Sequence, residues 1–450
     1  MPFFQPNPRT ASIVHSRLAW GPSFLHVLPG GNACEWRAAG PGRARVVSGV
    51  AADCWVPGSV SLSATGAGPL DGLTVAVKDM IAIEGHVSSF GHPRWRATHA
   101  PSASTAPQVS RLLAAGASVA GLAKLDQLAY SLIGNAGEGR APLNSQYPDR
   151  FTGGSSSGPA AAVAAGAADA GLGTDTAGSI RVPAAACGLF GLRPTHGLIS
   201  TQGVLPLAPS FDVVGVLARS ARTLGRVLDV LISADERPRA PAGTRQVIVA
   251  GDRLAGISPE AAAATYATAR AVAGAAGCPV SEGRLAGFIN DDVADLFARI
   301  QARQVWRAHG PWLAGNLGVL AADVRGRVER AKALAAAPPS ESRDDDRAWH
   351  AYQAALAEAV PPGSIVVLPV MAGLPPLRTA GPEELSTFRA VAFRYTAPAG
   401  LAGRPELVIP VHHLGSGQRL GIGLLGEVHG EEALLRIAGR VCPGGRPLSV

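Results

Sequence analysis

The sequence predicts an α/β fold, and three observations carry that reading. Residues 73–78, Leu-Thr-Val-Ala-Val-Lys, form an apolar run with the length and composition of a buried strand. A helical pattern near 106–115 and a short apolar segment at 118–120 follow it, so strand and helix alternate. Residues 365–368, 407–411 and 421–425 then read as late core strands beyond a long helical middle.

Taken in order, residues 1–68 differ from the rest. They are rich in Gly, Pro and Arg and hold Trp20, Trp36 and Trp55, with short strands expected at 43–47 and 54–56 between turns. They read as a small β-rich appendage with a packing or oligomer role, and residues 69–450 as the main α/β domain. Thr152-Gly-Gly-Ser-Ser-Ser-Gly158 is a tight turn feeding a helix, because Pro159 and a run of alanines follow at once. Residues 172–183 read as a second loop, dense in small and hydroxyl residues. Ser258-Pro259-Glu260 is an N-cap followed by an N1 proline. Asn290 caps a further helix, whose Val293, Leu296, Phe297 and Ile300 form one apolar stripe. Residues 338–346, opening Pro-Pro, read as a surface loop.

Composition narrows the function classes. Hydrophobic content of 47% and a mean hydropathy of +0.18 over 450 residues mark a chain with a large core. The net charge of +7 and pI near 9.5 invite a nucleic-acid reading, but the arginines are scattered and no run of five basic residues exists. No nucleic-acid partner is expected. Five cysteines without C-x-x-C spacing fit a reducing compartment and no structural zinc, and no H-E-x-x-H occurs, so no metal is expected. No signal peptide and no 18-residue apolar stretch is visible, so no membrane contact and a cytoplasmic location are expected.

Only three of the forty basic residues are lysines: Lys78, Lys124 and Lys332. Lys78 ends the apolar run, where a charge is costly. A desolvated lysine can shed its proton and arginine cannot, so Lys78 reads as a neutral amine acting as a base. A strand-end lysine reaching to water is the plain alternative. For the serine cluster, Gly154-Ser-Ser-Ser-Gly158 fits the nucleophile-elbow pattern with Ser156 as nucleophile, but no His-Gly-Gly loop accompanies it. A phosphate-binding loop would lack its lysine.

Lys78, the 153–158 cluster and Gly173-Thr-Asp-Thr-Ala-Gly-Ser-Ile-Arg181 together resemble the amidase signature family. The likeness extends through Pro183, Cys187-Gly188 and 191–195; it is strong over about 70–235 and weaker over about 364–440. It implies a large mixed sheet with helices on both faces and a Ser-Ser-Lys triad needing no cofactor. Carried over by motif, Ser179 is the nucleophile, Ser155 the bridging serine and Lys78 the base. The N–H groups of Thr176, Ala177, Gly178 and Ser179 form the oxyanion hole, and Gly154, Asp175 and Arg181 support it, with a cis peptide expected at Gly154–Ser155. Gln127, Ser131, Phe288, Trp306 and Trp312 are candidate pocket residues.

Within the family, 210–215 and 306–312 look most like the indoleacetamide-hydrolase type, so the expected partner is a small-molecule amide, led by an arylacetamide. A urea-type substrate such as allophanate or biuret, or a glutaminase-subunit role in an amidotransferase, is the alternative. A non-catalytic translocon-type protein is disfavoured because all three triad residues are present. The oligomeric state is open, a homodimer being one option. Three departures stand out: Ala177 where glycine is commoner, Gln127 where glutamate is usual, and Gly421-Ile422-Gly423 where the family often ends in glutamine, which removes an expected pocket contact.

Overall fold

The computed structural model describes residues 52–232 and 243–450. The first half runs β1 (Thr74–Lys78), α1 (Pro93–Thr98), α2 (Pro107–Ala114), β2 (Ser118–Ala123), α3 (Ser157–Ala164), β3 (Ala170–Asp175), α4 (Arg181–Cys187), β4 (Phe190–Arg193), β5 (Val213–Ala218) and α5 (Ala221–Leu231). The second half runs β6 (Gln246–Val249), α6 (Pro259–Ala276), β7 (Val280–Glu282), α7 (Asp291–Ala314), α8 (Ala322–Ala336), α9 (Pro339–Ala359), β8 (Ser364–Pro369), α10 (Pro382–Ala402), β9 (Glu406–His412), β10 (Arg419–Leu425), α11 (Glu431–Val441) and β11 (Leu448–Ser449).

Among the described residues, the eleven strands join one mixed sheet in the order β2-β1-β3-β5-β4-β9-β10-β8-β6-β7, with β11 on β9. Alternate strand residues enter two separate hydrophobic clusters. Val75 and Val77 join one and Ala76 the other; Leu407 and Ile409 join the first and Val408 the second. Both faces of the sheet are therefore covered. Val109 of α2, Leu224 of α5, Val272 of α6 and Leu434 of α11 belong to the first cluster; Ala160–Val163 of α3, Ala184–Ala186 of α4 and Tyr395 of α10 belong to the second.

Residues 1–51, including the strand expected at 43–47, lie outside the described residues. Residues 54–56 are not a strand: a 3-10 turn ends at Cys54, and Trp55 makes a single bridge to Ala123. The expected loop at 172–183 is instead strand, turn and helix, since Leu172–Asp175 complete β3 and Arg181 opens α4. The expected loop at 338–346 is the start of α9. Pro339 sits at its first position, where its missing N–H costs nothing, and Glu341 lies in the first turn, favoured by the helix dipole. Asp345 of that segment is buried and accepts from Arg299 Nε at 2.9 Å and from Arg303, tying α9 to α7. Ser258 and Asn290 cap α6 and α7 as the sequence predicts, each accepting an N–H three residues on.

Glycines let α4 sit close on the sheet. A Cβ at Gly191 would lie 2.4 Å from Ala184 Cβ, and one at Gly421 would lie 2.3 Å from Ala185 Cβ. Gly421→Val is therefore expected to lower stability in urea unfolding by about 1–3 kcal/mol or more, because overpacking must displace backbone. Gly225→Ala on α5, where the nearest atom to a new Cβ is 3.7 Å away, should leave stability unchanged or raise it by about 0.5–1 kcal/mol.

Candidate active site

The last residue of β1 places Lys78 inside the fold, fully buried. Its Nζ lies 2.9 Å from Ser155 Oγ and 2.7 Å from Thr174 Oγ1 on the neighbouring parallel strand β3. Burial pulls the amine down from 10.5 to about 7, with Asp126, Asp175 and Asp212 pulling the other way. Of these, Asp126 is itself pushed up to about 6 by burial, against hydrogen bonds from the N–H groups of Gly134 and Ala136 at 3.0 and 3.3 Å.

Ser155 follows a cis peptide bond from Gly154. The chain is pinned on both sides of it: Gly154 N–H donates to Leu132 O at 2.9 Å, and Ser155 O accepts from Asp126 N at 3.2 Å. Glycine is required at 154, since a Cβ there would lie 2.1 Å from Asp126 Oδ2. Ser156 behaves differently. Its Oγ donates to Thr174 O at 3.2 Å, and its N–H donates to Ser179 O at 3.2 Å. The second bond draws the two serine-bearing loops together, while the first engages the elbow-pattern serine with backbone.

Asp175 organises the segment between β3 and α4. Its carboxylate accepts from the N–H groups of Gly178 at 2.8 Å, Ile180 at 3.1 Å and Arg181 at 3.3 Å, and from the guanidinium of Arg181 at 2.9 and 3.0 Å. Arg193 reaches the same carboxylate at 3.2 Å and the Asp175 carbonyl at 2.7 Å. These two arginines hold Asp175 well below the ordinary carboxylate range despite burial, which acts in the opposite direction. Arg181 is further held by Glu406 at 2.6 Å and Thr396 O at 2.8 Å. The Thr396 hydroxyl donates to Ala177 O at 2.6 Å, and Thr176 donates to Asp212 at 2.5 Å. The turn 176–179 is thus fixed from several directions.

That fixing decides which N–H groups are free. Gly178 N–H is spent on Asp175. Those of Thr176, Ala177 and Ser179 have no acceptor among the described residues. Ser131, Thr176, Ala177 and Ser179 line one cleft, with Ala129, Tyr130, Leu132, Leu207, Gln301, Arg389 and Phe393.

Four expected pocket residues do not line it. Gln127 accepts Ala321 N–H at 2.9 Å, and Phe288 packs edge-on to Tyr352 at 5.9 Å between centroids. Trp306 lies beside Lys332, packed against the first core cluster, and Trp312 joins Trp95 and His92 and donates to Thr98 Oγ1 at 2.9 Å. Gly423 has its own explanation, since a Cβ there would lie 2.4 Å from Glu406 Oε1. The buried Glu406 carboxylate fills the space where a longer side chain at 423 would extend.

Several site residues escaped the sequence reading. Thr174, Arg193 and Asp212 lie inside motifs that were legible, but their contacts depend on strand pairing. Asp126 showed no signal beyond its neighbour Gln127. Gln301, Arg389, Phe393, Thr396 and Glu406 come from α7, α10 and β9, far along the chain, and carry no local pattern that marks them.

An amidase family model matches residues 60–248. Amidase 1 of Oryza sativa subsp. japonica is 37% identical over 376 residues, covering 76% of this chain and 84% of that one. A solved amidase structure aligns with a TM-score of 0.71 and 28% identity over 83% of this chain and 84% of its own. An allophanate hydrolase of Kluyveromyces lactis aligns with a TM-score of 0.73 and 25% identity over 83% of this chain and 61% of its own. With a buried lysine on its serine, a pinned Gly-Ser turn and similarity over most of its length, the chain belongs to the amidase family, hydrolases that act on the carbon–nitrogen bond of amides.

Proposed function

We propose that the chain hydrolyses a small-molecule amide through an acyl-enzyme, with Ser179 as nucleophile, Ser155 as proton bridge and Lys78 as base. The observation that carries this reading is the 2.9 Å contact between a fully buried Lys78 amine and Ser155 Oγ. A serine hydroxyl is a weak nucleophile at neutral pH and an amide carbonyl a poor electrophile, so a base must be coupled to the attack. Neutral Lys78 takes the proton of Ser155 as Ser155 takes that of Ser179, and Ser179 Oγ bonds to the carbonyl carbon. The oxyanion is received by the free N–H groups of the turn, those of Thr176, Ala177 and Ser179; Gly178 N–H acts indirectly, by holding the turn to Asp175. Collapse breaks the C–N bond, and the proton on Lys78 returns through Ser155 to the departing ammonia or amine. Water then repeats the sequence on the ester and releases the acid.

Two substrate readings compete within this chemistry. The sequence resemblance favours an arylacetamide such as indole-3-acetamide. The structural similarity to an allophanate hydrolase favours a compact amide of the urea type. Ammonia release from indole-3-acetamide, allophanate, biuret and free glutamine by the purified chain separates these readings and also tests the amidotransferase-subunit alternative.

A fluorophosphonate probe should label Ser179, and Ser179→Ala should abolish both labelling and turnover while the protein stays folded. Labelling at Ser156 would instead support the nucleophile-elbow scheme. Lys78→Arg should be as inactive as Lys78→Ala, because arginine supplies charge but no base. In the wild type, kcat/KM should rise as pH increases through about 7, where Lys78 loses its proton, and level off above; a profile that falls across that range contradicts the base assignment.

A further inference from the structure

Arg389 stands out among the residues beside Ser179. It is on α10, one turn before Phe393, and its guanidinium lies 5.1 Å from the centre of the Phe393 ring. Both side chains line the cleft that holds Ser131, Ala177 and Ser179. Among the described residues Arg389 forms no ion pair, and its buried Nε has no hydrogen-bond partner. The contrast with its neighbours is sharp. Arg394, on the same helix, is paired with Asp291, Arg327 with Asp323 and Arg330 with Asp295.

The cleft lining contains one cation and no carboxylate. Arg327, whose guanidinium lies 5.5 Å from the centre of the Tyr130 ring, has its charge offset by its partner Asp323. Burial lowers the pKa of Arg389 most and Arg327 and Arg330 lower it further, while Tyr130 and Asp323 act against them; the result is about 9, so Arg389 is still charged at neutral pH. A guanidinium with an unsatisfied donor at a partly desolvated site gains most from a planar anion that takes two of its N–H groups at once. Gln301, 2% exposed, provides a further polar group on the lining.

We infer that Arg389 is a specificity-determining residue that receives a carboxylate on the acyl side of the substrate, so that the preferred substrate is a short amide bearing an anionic group, such as the monoamide of a dicarboxylic acid or a carboxylated urea. This rests on the amidase reading above and sides with the compact substrate over the neutral arylacetamide. The reaction is unchanged: the C–N bond breaks by attack of Ser179, and the distant carboxylate only fixes the acyl chain.

The test compares succinamate with butyramide and indole-3-acetamide as neutral partners, for wild type, Arg389→Met and Arg389→Lys, with thermal melts as a folding control. Wild type should prefer succinamate. Arg389→Met should lower its kcat/KM by about 10- to 100-fold, mainly through KM, as expected for loss of a charge-assisted pair. The neutral amides should change by less than about threefold, and Arg389→Lys should recover part of the loss. Equal effects on charged and neutral amides, or a wild-type preference for a neutral one, would overturn the proposal. Calorimetry with succinate gives a readout independent of turnover: binding to wild type that disappears in Arg389→Met supports the inference, and no binding to wild type defeats it. Failure of the probe to label Ser179 would count against the underlying amidase mechanism, a result distinct from either.

Discussion

The site depends on keeping one amine dry. Lys78 is sealed between β1, β3 and the turn carrying Ser155, with two hydroxyls as its hydrogen-bond partners and, among the described residues, no carboxylate in hydrogen-bond contact. Water would restore the proton, and a directly paired carboxylate would hold it; either would remove the base proposed above. Burial has a cost to the fold. Below pH 7 the folded chain carries the full penalty of the lowered pKa; between pH 7 and 10.5 the unfolded chain still holds a proton the folded chain has lost, and stability from this group rises with pH. At pH 7 the penalty is on the order of 4 kcal/mol. Such a cost is tolerable only in a fold with a large core, which the covered sheet supplies.

A second buried charge cluster does the opposite job. Asp175, Arg181, Arg193 and Glu406 are all fully or almost fully buried and strongly paired. A buried pair of this kind adds little net stability over apolar residues of the same size, yet removing one member typically costs about 3–5 kcal/mol. Its evident use here is geometric. Asp175 gathers the N–H groups of Gly178, Ile180 and Arg181 and so leaves those of Thr176, Ala177 and Ser179 pointing elsewhere. Glu406 on β9 anchors the far side of Arg181, in space that Gly423 on β10 leaves open. The turn proposed to receive substrate is therefore tied to the centre of the sheet, not to a surface loop.

The sequence made the chemistry more legible than the specificity. Lys78, Ser155 and Ser179 lie in short motifs whose residue types fit the chemistry proposed for them: a lysine in an apolar strand, and glycines where a Cβ would strike Asp126 or backbone. The strands at 74–78, 365–368 and 407–411 were legible for the same reason, since apolar runs have few other uses. The pocket was not. Arg389, Gln301 and Phe393 meet Ser179 only because α7 and α10 pack where they do, and nothing local distinguishes Arg389 from the other arginines of this chain. The tryptophans at 306 and 312 drew attention by size, but packing places them against the first core cluster. The segment 338–346 misled because Pro-Pro and acidic residues signal a loop and a helix start alike.

Because the chain holds only three lysines, the protonation of Lys78 can be read directly. Lysine side-chain carbons labelled with carbon-13 can be followed by NMR across pH 5 to 11, roughly the range spanning both ordinary and depressed amine titrations. The Lys78 signal is identified by its disappearance in Lys78→Met. This signal is expected to titrate near pH 7. A Lys78 signal that titrates at the ordinary lysine value, in a folded and active sample, would mean that the amine is charged at working pH and that the proton relay through Ser155 does not operate.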